Sequence, residues 1–95
     1  MDEEKSVEQI FHALADANRL KIIKLIGQGQ RSVSEIVQST RLSQPLVSHH
    51  LRILRENRLL EAKREGPFIY YRQKDMRLLA AIESLVIILR ENKLL

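Results

Sequence analysis

The stretch Ser43 to Glu56, SQPLVSHHLRILRE, gathers the side chains best suited to recognising another molecule. Gln44, Ser48, His49, Arg52 and Arg55 are hydrogen-bonding or cationic, and Glu56 is the one acid beside them. Read as a short helix over 44–56, the stretch opens on Ser43, a good N-cap. It tolerates Pro45 in its first turn, where the N–H has no intrahelical partner anyway. Val47, Leu51 and Leu54 recur at i, i+4 and i+7 and form one buried stripe. The polar set falls on the other faces. Such a face suits the DNA major groove, where glutamine reads adenine, arginine reads guanine and serine reaches a base or a phosphate. The plain alternative is an amphipathic helix with a solvated face, and the neighbouring segments decide between the two.

Catalytic chemistry finds little footing. There is no glycine-rich phosphate loop, no cysteine, and no nucleophile–base spacing that signals an active site. Ser48 and His49 are adjacent, and adjacent helix residues do not face each other. An enzyme is therefore not expected, nor a cofactor. The absence of cysteine also excludes a disulfide framework, a thiolate metal site and a thiol switch, and it points to the cytoplasm. The start, MDEEKSVEQI, is acidic and has no long apolar run, so neither a signal peptide nor a membrane partner is expected.

The chain of 95 residues makes a single domain, and its apolar share of 44% with few glycines and prolines is that of a globular protein. A chain this short buries only about two-thirds of its unfolded surface, so a second copy is a natural source of further burial. The net charge of +4 is unevenly placed. Residues 1–10 hold one lysine against four acids, while residues 41–77 hold nine lysines and arginines against four acids. A polyanion partner for residues 41–77 follows, with a merely solvated basic surface as the alternative.

The elements that must position the recognition stretch are mostly helical. Residues 5–14 place Val7, Ile10, Phe11 and Leu14 on one stripe. Asp16 looks like the N-cap of a helix over 17–27, with Leu20, Ile23 and Ile26 on its apolar side and Gly27 as its stop. Ser32-Val33-Ser34-Glu35 is a capping-box pattern that opens a helix over 33–39. Only Thr40 to Ser43 separate it from the recognition stretch, and two short helices so joined are a helix-turn-helix. Arg41 stands near the position where a left-handed residue is wanted. It costs some stability there, reaches phosphate, or does both.

After Asn57 the period changes. Residues 59–64 and 68–73 read as two strands, with Glu65-Gly66-Pro67 as the turn and Lys63 and Arg64 near the tip. A hairpin after a recognition helix is the wing of a winged helix, lying along the backbone or minor groove. A small hairpin that only closes the core is the alternative, and both can hold. The last helix spans 75–91 with Asp75 as its cap. It is apolar on too many sides for a helix with one buried face, and too short and too charged at its flanks for a membrane span. One face then packs on the domain and another on a second copy, with Val7, Ile10, Phe11, Leu78, Ile82, Leu85, Val86 and Leu89 as the dimer interface.

Two long blocks, ALADANRLKIIKLI (13–26) and SVSEIVQSTRLSQPLVSHHLRILRENRLLEAKREGPFIYYR (32–72), resemble the ArsR/SmtB-type winged-helix transcriptional repressors. Ala17 stands where that family usually has proline. The resemblance implies a mainly α fold with a small β-hairpin, a winged helix-turn-helix. It implies a homodimeric, sequence-specific repressor on double-stranded DNA. Gln44, Ser48, His49 and Arg52 would contact bases or nearby phosphates. Ser43 with Thr40 or Arg41 would lie near the backbone, and Arg64 would serve the wing. His50 matches the histidine of the family's SxHL motif and reads as structural, whereas His49 reads as exposed.

The departure concerns sensing. Where metal-binding members carry cysteines before the recognition helix, this chain has Arg31, Ser32, Val33, Ser34, Glu35 and Ile36. The last helix offers Asp75, Glu83 and Glu91 but no histidine, and His12 stands alone on the first helix. Borderline-soft metals want nitrogen or sulfur ligands, so no metal site is expected. The cysteine pair of sulfur-sensing members is absent too. The signal would then be a small apolar or anionic effector near the first and last helices, a partner protein, or pH or salt. A protein-interaction or RNA-binding winged helix with an incidental basic face is the alternative function.

Overall fold

The computed structural model describes residues 2–95. Asp2 accepts a hydrogen bond from the Lys5 N–H, so helix α1 starts earlier than predicted and spans Glu3–Leu14. Glu3 and Glu4 in its first turn complement the positive helix end. Helix α2, Ala17–Ile26, opens on Asp16, whose carboxylate accepts from the N–H groups of Asn18 and Arg19. Those bonds, the one from Arg19 first, hold the Asp16 carboxyl below its ordinary value. Gly27 ends α2 at φ 56° and ψ −136°, a conformation open essentially to glycine alone. The predicted capping box forms in full at Ser32 and Glu35 and opens α3, Val33–Thr40. Ser43 caps α4, Gln44–Glu56, as expected.

Three strands form one antiparallel sheet in the order β1-β3-β2. β2 is Leu60–Glu65 and β3 is Phe68–Gln73, with Leu60 opposite Gln73 and Glu65 opposite Phe68. That register leaves a two-residue loop with Gly66 first, at positive φ, a hairpin connection that follows the strand twist. β2 therefore starts one residue later than predicted, because the Leu59 N–H still bonds Leu54 O in the turn that closes α4. β1, Arg31–Ser32, pairs with Tyr71 and Tyr70 of β3 and was not predicted. Ser32 both closes this short ladder and caps α3.

Helix α5, Arg77–Glu91, starts two residues later than predicted. Asp75 is not its N-cap, since Met76 takes that position without a side-chain bond. Asp75 instead accepts from the Arg77 guanidinium and, second, from the Arg77 N–H, contacts that hold its carboxyl down at about 2. The buried Gln73 supplies the remaining cap. Its Oε1 accepts from Leu79 N–H at 2.8 Å, and its Nε2 donates to the Gly27 carbonyl at 2.5 Å. One amide thus ties the end of α2 to the start of α5.

The core joins Ile22, Ile23 and Ile26 of α2, Ile36 of α3, Val47, Leu51 and Leu54 of α4 and Leu60 of β2. One sequence expectation fails here. Ile22, not Leu20, completes the buried side of α2, and Leu20 is 37% exposed. On α1 only Ala13 is buried, while Phe11 is 62% exposed.

A buried polar cluster fixes α4 against the first two helices. His50 is only 4% exposed, which matches its structural reading. Its Nδ1 lies 3.3 Å from Arg19 Nη1. Arginine can only donate, so Nδ1 accepts and His50 is the neutral tautomer with its proton on Nε2. That Nε2 is buried without a hydrogen-bond partner, 4.0 Å from Asp16 Oδ1. Arg19 meanwhile donates Nε to Ala13 O at 2.5 Å and Nη2 to His12 O at 3.4 Å. The end of α1, the start of α2 and the middle of α4 therefore meet on one guanidinium.

Burial holds the His50 imidazole below its ordinary 6.5, with Arg19 and His49 acting the same way and Asp16 opposing them. A group so depressed contributes stability that is complete above the unfolded value and is lost as pH falls below it. The urea midpoint should drop between about pH 7.5 and about pH 5.5, and His50→Gln should flatten that drop. An equal drop in both proteins would clear His50 of the effect.

A second test concerns the end of α4. Arg58 takes φ 60°, its N–H bonds Arg55 O, and Leu59 N–H bonds Leu54 O. This is the closing turn that usually holds glycine, and a residue with a Cβ costs about 1 kcal/mol there. Arg58→Gly should raise stability by about that amount with an unchanged denaturant slope. No gain would mean that the Arg58 side chain makes a compensating contact.

Candidate nucleic-acid interface

α4 owes its outward face to its inward one. Val47, His50, Leu51 and Leu54 are buried, which leaves Gln44, His49, Arg52 and Arg55 exposed and Ser48 half-buried. The exposed side chains are pre-arranged in couples. Gln44 Nε2 donates to Ser48 Oγ at 2.8 Å, one helical turn on. Arg52 Nη2 lies 3.3 Å from His49 Nδ1. The first couple leaves Gln44 Oε1, one Nε2 hydrogen and the Ser48 hydroxyl proton facing solvent. An amide oxygen and hydrogen side by side are the donor–acceptor pair that adenine's major-groove edge matches. The second couple leaves most of the Arg52 fork free for a guanine edge or a phosphate.

The turn before α4 is held from inside. Thr40 Oγ1 donates to Ile36 O at 2.7 Å and accepts from Leu42 N–H at 3.3 Å. Its proton is therefore committed to the turn. Arg41 takes the left-handed conformation at φ 61°, with its N–H on Val37 O at 2.8 Å, and its side chain is exposed. Ser43 Oγ accepts from Leu46 N–H at 3.3 Å and keeps its proton to donate.

Arg64 lies at the exposed end of the hairpin, opposite Ile69. Its neighbours are engaged: Lys63 stands 3.7 Å from Glu65, and Arg72 pairs with Glu61 at 2.6 Å. Among the described residues, Arg41, Arg52, Arg55 and Arg64 make no ion pair. These four place unpaired positive charge in the turn, on α4 and on the hairpin tip.

The predicted interface residues divide in two. An apolar groove of about 420 Å³ between α1 and α5 brings Phe11 together with Leu78, Ile82, Leu85, Val86 and Leu89. Leu14, Ala15, Leu20 and Ala81 complete its lining, and no residue of α5 is buried. Val7 and Ile10 do not join it. Val7 lies with Phe11 and the acids of α1, and Ile10 lies against Glu56, Asn57 and Arg58 at the end of α4. The exposed Leu20 was the signal missed: a leucine that α2 does not need for its core serves this face.

Among the described residues, no group of three or more His, Cys, Asp or Glu side chains could hold a metal ion. Among the same residues, no helix is long and apolar enough to cross a membrane.

Known proteins share this fold. The family described as "Bacterial regulatory protein, arsR family" matches residues 16–62. The transcriptional repressor SdpR of Bacillus subtilis is 35% identical over 65 residues, spanning 68% of this chain and 72% of that protein. A transcriptional repressor SmtB homolog of Synechocystis is 33% identical over 75 residues, spanning 79% of this chain but only 57% of its own length. The homodimeric winged helix-turn-helix DNA-binding domain of a possible ArsR-family regulator from Mycobacterium bovis superposes with a TM-score of 0.78 at 33% identity. That match covers 92% of this chain and 80% of that one. Reduced HlyU of Vibrio cholerae gives a TM-score of 0.79 at 28% identity, covering 86% of each chain. The fold is a winged helix-turn-helix, the relatives are transcriptional regulators rather than enzymes, and the chain belongs to the arsR family of bacterial regulatory proteins.

Proposed function

We propose that this chain is a cytoplasmic, homodimeric, sequence-specific DNA-binding repressor without a metal or thiol switch. The observation that carries the reading is the outward face of α4, where paired hydrogen-bonding and cationic side chains stand free of internal ion pairs. Gln44 reads an adenine edge with Ser48 steadying its amide, and Arg52 reads a guanine edge with His49 beside it. Ser43 donates to a phosphate at the start of α4, where the helix end favours an anion. Arg41 and Arg64 neutralise phosphates on either side, and Thr40 acts by holding the turn that presents Arg41.

The α1–α5 groove supports the dimer. It is almost wholly apolar, and a second copy would cover it through Phe11, Leu78, Ile82, Leu85, Val86 and Leu89, with Val7 beside Phe11 at its margin and Ile10 off it, toward the end of α4. A two-fold dimer puts two α4 helices roughly 34 Å apart, the spacing of an inverted repeat.

Fluorescence anisotropy against promoter DNA and scrambled DNA tests the reading. Specific binding should exceed non-specific binding by about 10³-fold at matched salt. Arg52→Ala should cost about 1–3 kcal/mol and relax preference at one base position. Equal loss on both DNAs would make Arg52 a phosphate contact. Equal, weak and salt-collapsing binding by the unaltered protein would reduce the basic face to a general polyanion surface. For the dimer, Phe11→Glu with Leu85→Glu should yield a folded monomer by sedimentation that binds the operator about 10²-fold more weakly. A dimer that survives both changes would place the interface elsewhere.

A further inference from the structure

α5 has a second flank with a different chemistry. Leu78, Ala81, Leu85 and Leu89 face the groove shared with α1. Leu79, Glu83, Ile87 and Arg90 line another groove, of about 450 Å³, between α5 and α2. Its floor is apolar: Leu20 from α2, and Leu79, Ile82 and Val86 from α5. Ile87, 48% exposed, extends that surface outward. Lys21 and Lys24 of α2 and Arg90 of α5 stand around it, with Glu83 as the one acid. Among the described residues none of these cations is in an ion pair. The groove is large enough for a small ligand, which typically fills about 300–1,000 Å³. From Leu79 to Arg90 it runs about 16 Å along α5 at the helical rise, roughly an extended alkyl chain of medium length.

We infer that the α2–α5 groove binds an amphipathic anion, a free carboxylate on a medium-length alkyl chain. The tail lies on Leu20, Leu79, Ile82, Val86 and Ile87, and the carboxylate is held by Lys21, Lys24 and Arg90. A wholly apolar ligand would leave the cations unused, and a cationic one would meet three like charges against one acid. A second copy of this chain is the poorer occupant, because the uninterrupted apolar face continuous with α1 lies on the other flank of α5. Leu20, Ile82 and Val86 line both grooves, so an occupant here would reach the surface assigned to the partner protomer. That consequence rests on the regulator reading; binding of the anion does not.

Calorimetric titration of the protein with sodium dodecanoate, below its micelle threshold and without DNA, tests the site. One molecule should bind per protomer, and the dimer should persist by sedimentation. Lys21→Glu with Lys24→Glu should weaken binding about tenfold, whereas Lys63→Glu with Arg64→Glu, the same charge change on the hairpin, should leave it within about twofold. Thermal unfolding confirms that both variants are folded, and Ile87→Ser, an exposed and uncharged change, gives an independent loss through the tail. Equal binding of dodecyltrimethylammonium, equal weakening by the hairpin variant, or dissociation of the dimer by dodecanoate would each overturn the inference. Operator binding, measured separately, shows whether the regulator reading has failed instead.

Discussion

Everything at the proposed DNA face depends on the burial of one side of α4. Leu51 and Leu54 have no exposed surface, and Val47 has none either. A helix of 13 residues is marginal by itself in water, so tertiary packing must hold it. Packing that stripe against Ile22, Ile23, Ile26 and Ile36 leaves α4 no rotational freedom. Gln44, Arg52 and their partners then point outward because they have nowhere else to go. The His50–Arg19 contact adds a polar lock to the apolar one. Apolar stripes can slip by a turn at modest cost. A buried imidazole that must meet one guanidinium cannot, so this contact sets the register of α4 relative to α1 and α2.

Both ends of α4 carry an arginine in a conformation that suits glycine better. Arg41 precedes the helix at φ 61° and Arg58 follows it at φ 60°. Each costs roughly 1 kcal/mol against glycine. A chain that accepts this at both ends of α4 keeps charge at the expense of backbone ease. At Arg41 the charge so kept is the one proposed to meet a phosphate. At Arg58 the neighbours are the end of α4 and Ile10, away from the recognition couples. The two arginines therefore share a geometry without sharing a role.

The sequence made α3, the turn and α4 legible because three signals coincide there: a capping box, a serine N-cap and an apolar period of 3.6. The hairpin was legible through its alternation and its Gly66-Pro67 loop. β1 was not, since two residues carry no period and Ser32 already had a use as a cap. The start of α5 was misread for a related reason. Asp75 is a good cap by type, but Gln73, two residues earlier and buried at a strand end, supplies the bond to Leu79. Only the tertiary path of β3 brings that amide over the helix. Leu20 and Ile22 were confused because α2 is apolar around much of its circumference, and periodicity cannot say which of two adjacent stripes the domain covers. The pairing of Gln44 with Ser48 follows from their spacing of four. The meeting of His50 with Arg19, 31 residues apart, does not.

The excess apolarity of α5 then has a physical account in two parts. A helix with one buried stripe needs polar residues over the rest of its surface, yet α5 has none fully buried and leaves Leu85, Ile87 and Ile88 about half exposed. On the flank toward α1 the exposed surface is continuous with Phe11 and carries no charge, which suits an apolar surface of its own kind. On the flank toward α2 the same apolar surface meets Lys21, Lys24 and Arg90. A self-complementary interface would face those cations with themselves and gain nothing from them. An anion with an apolar tail uses both halves of that flank at once. The division of charge along α5, rather than its hydrophobicity, is what separates the surface proposed for a second copy from the surface proposed for a ligand.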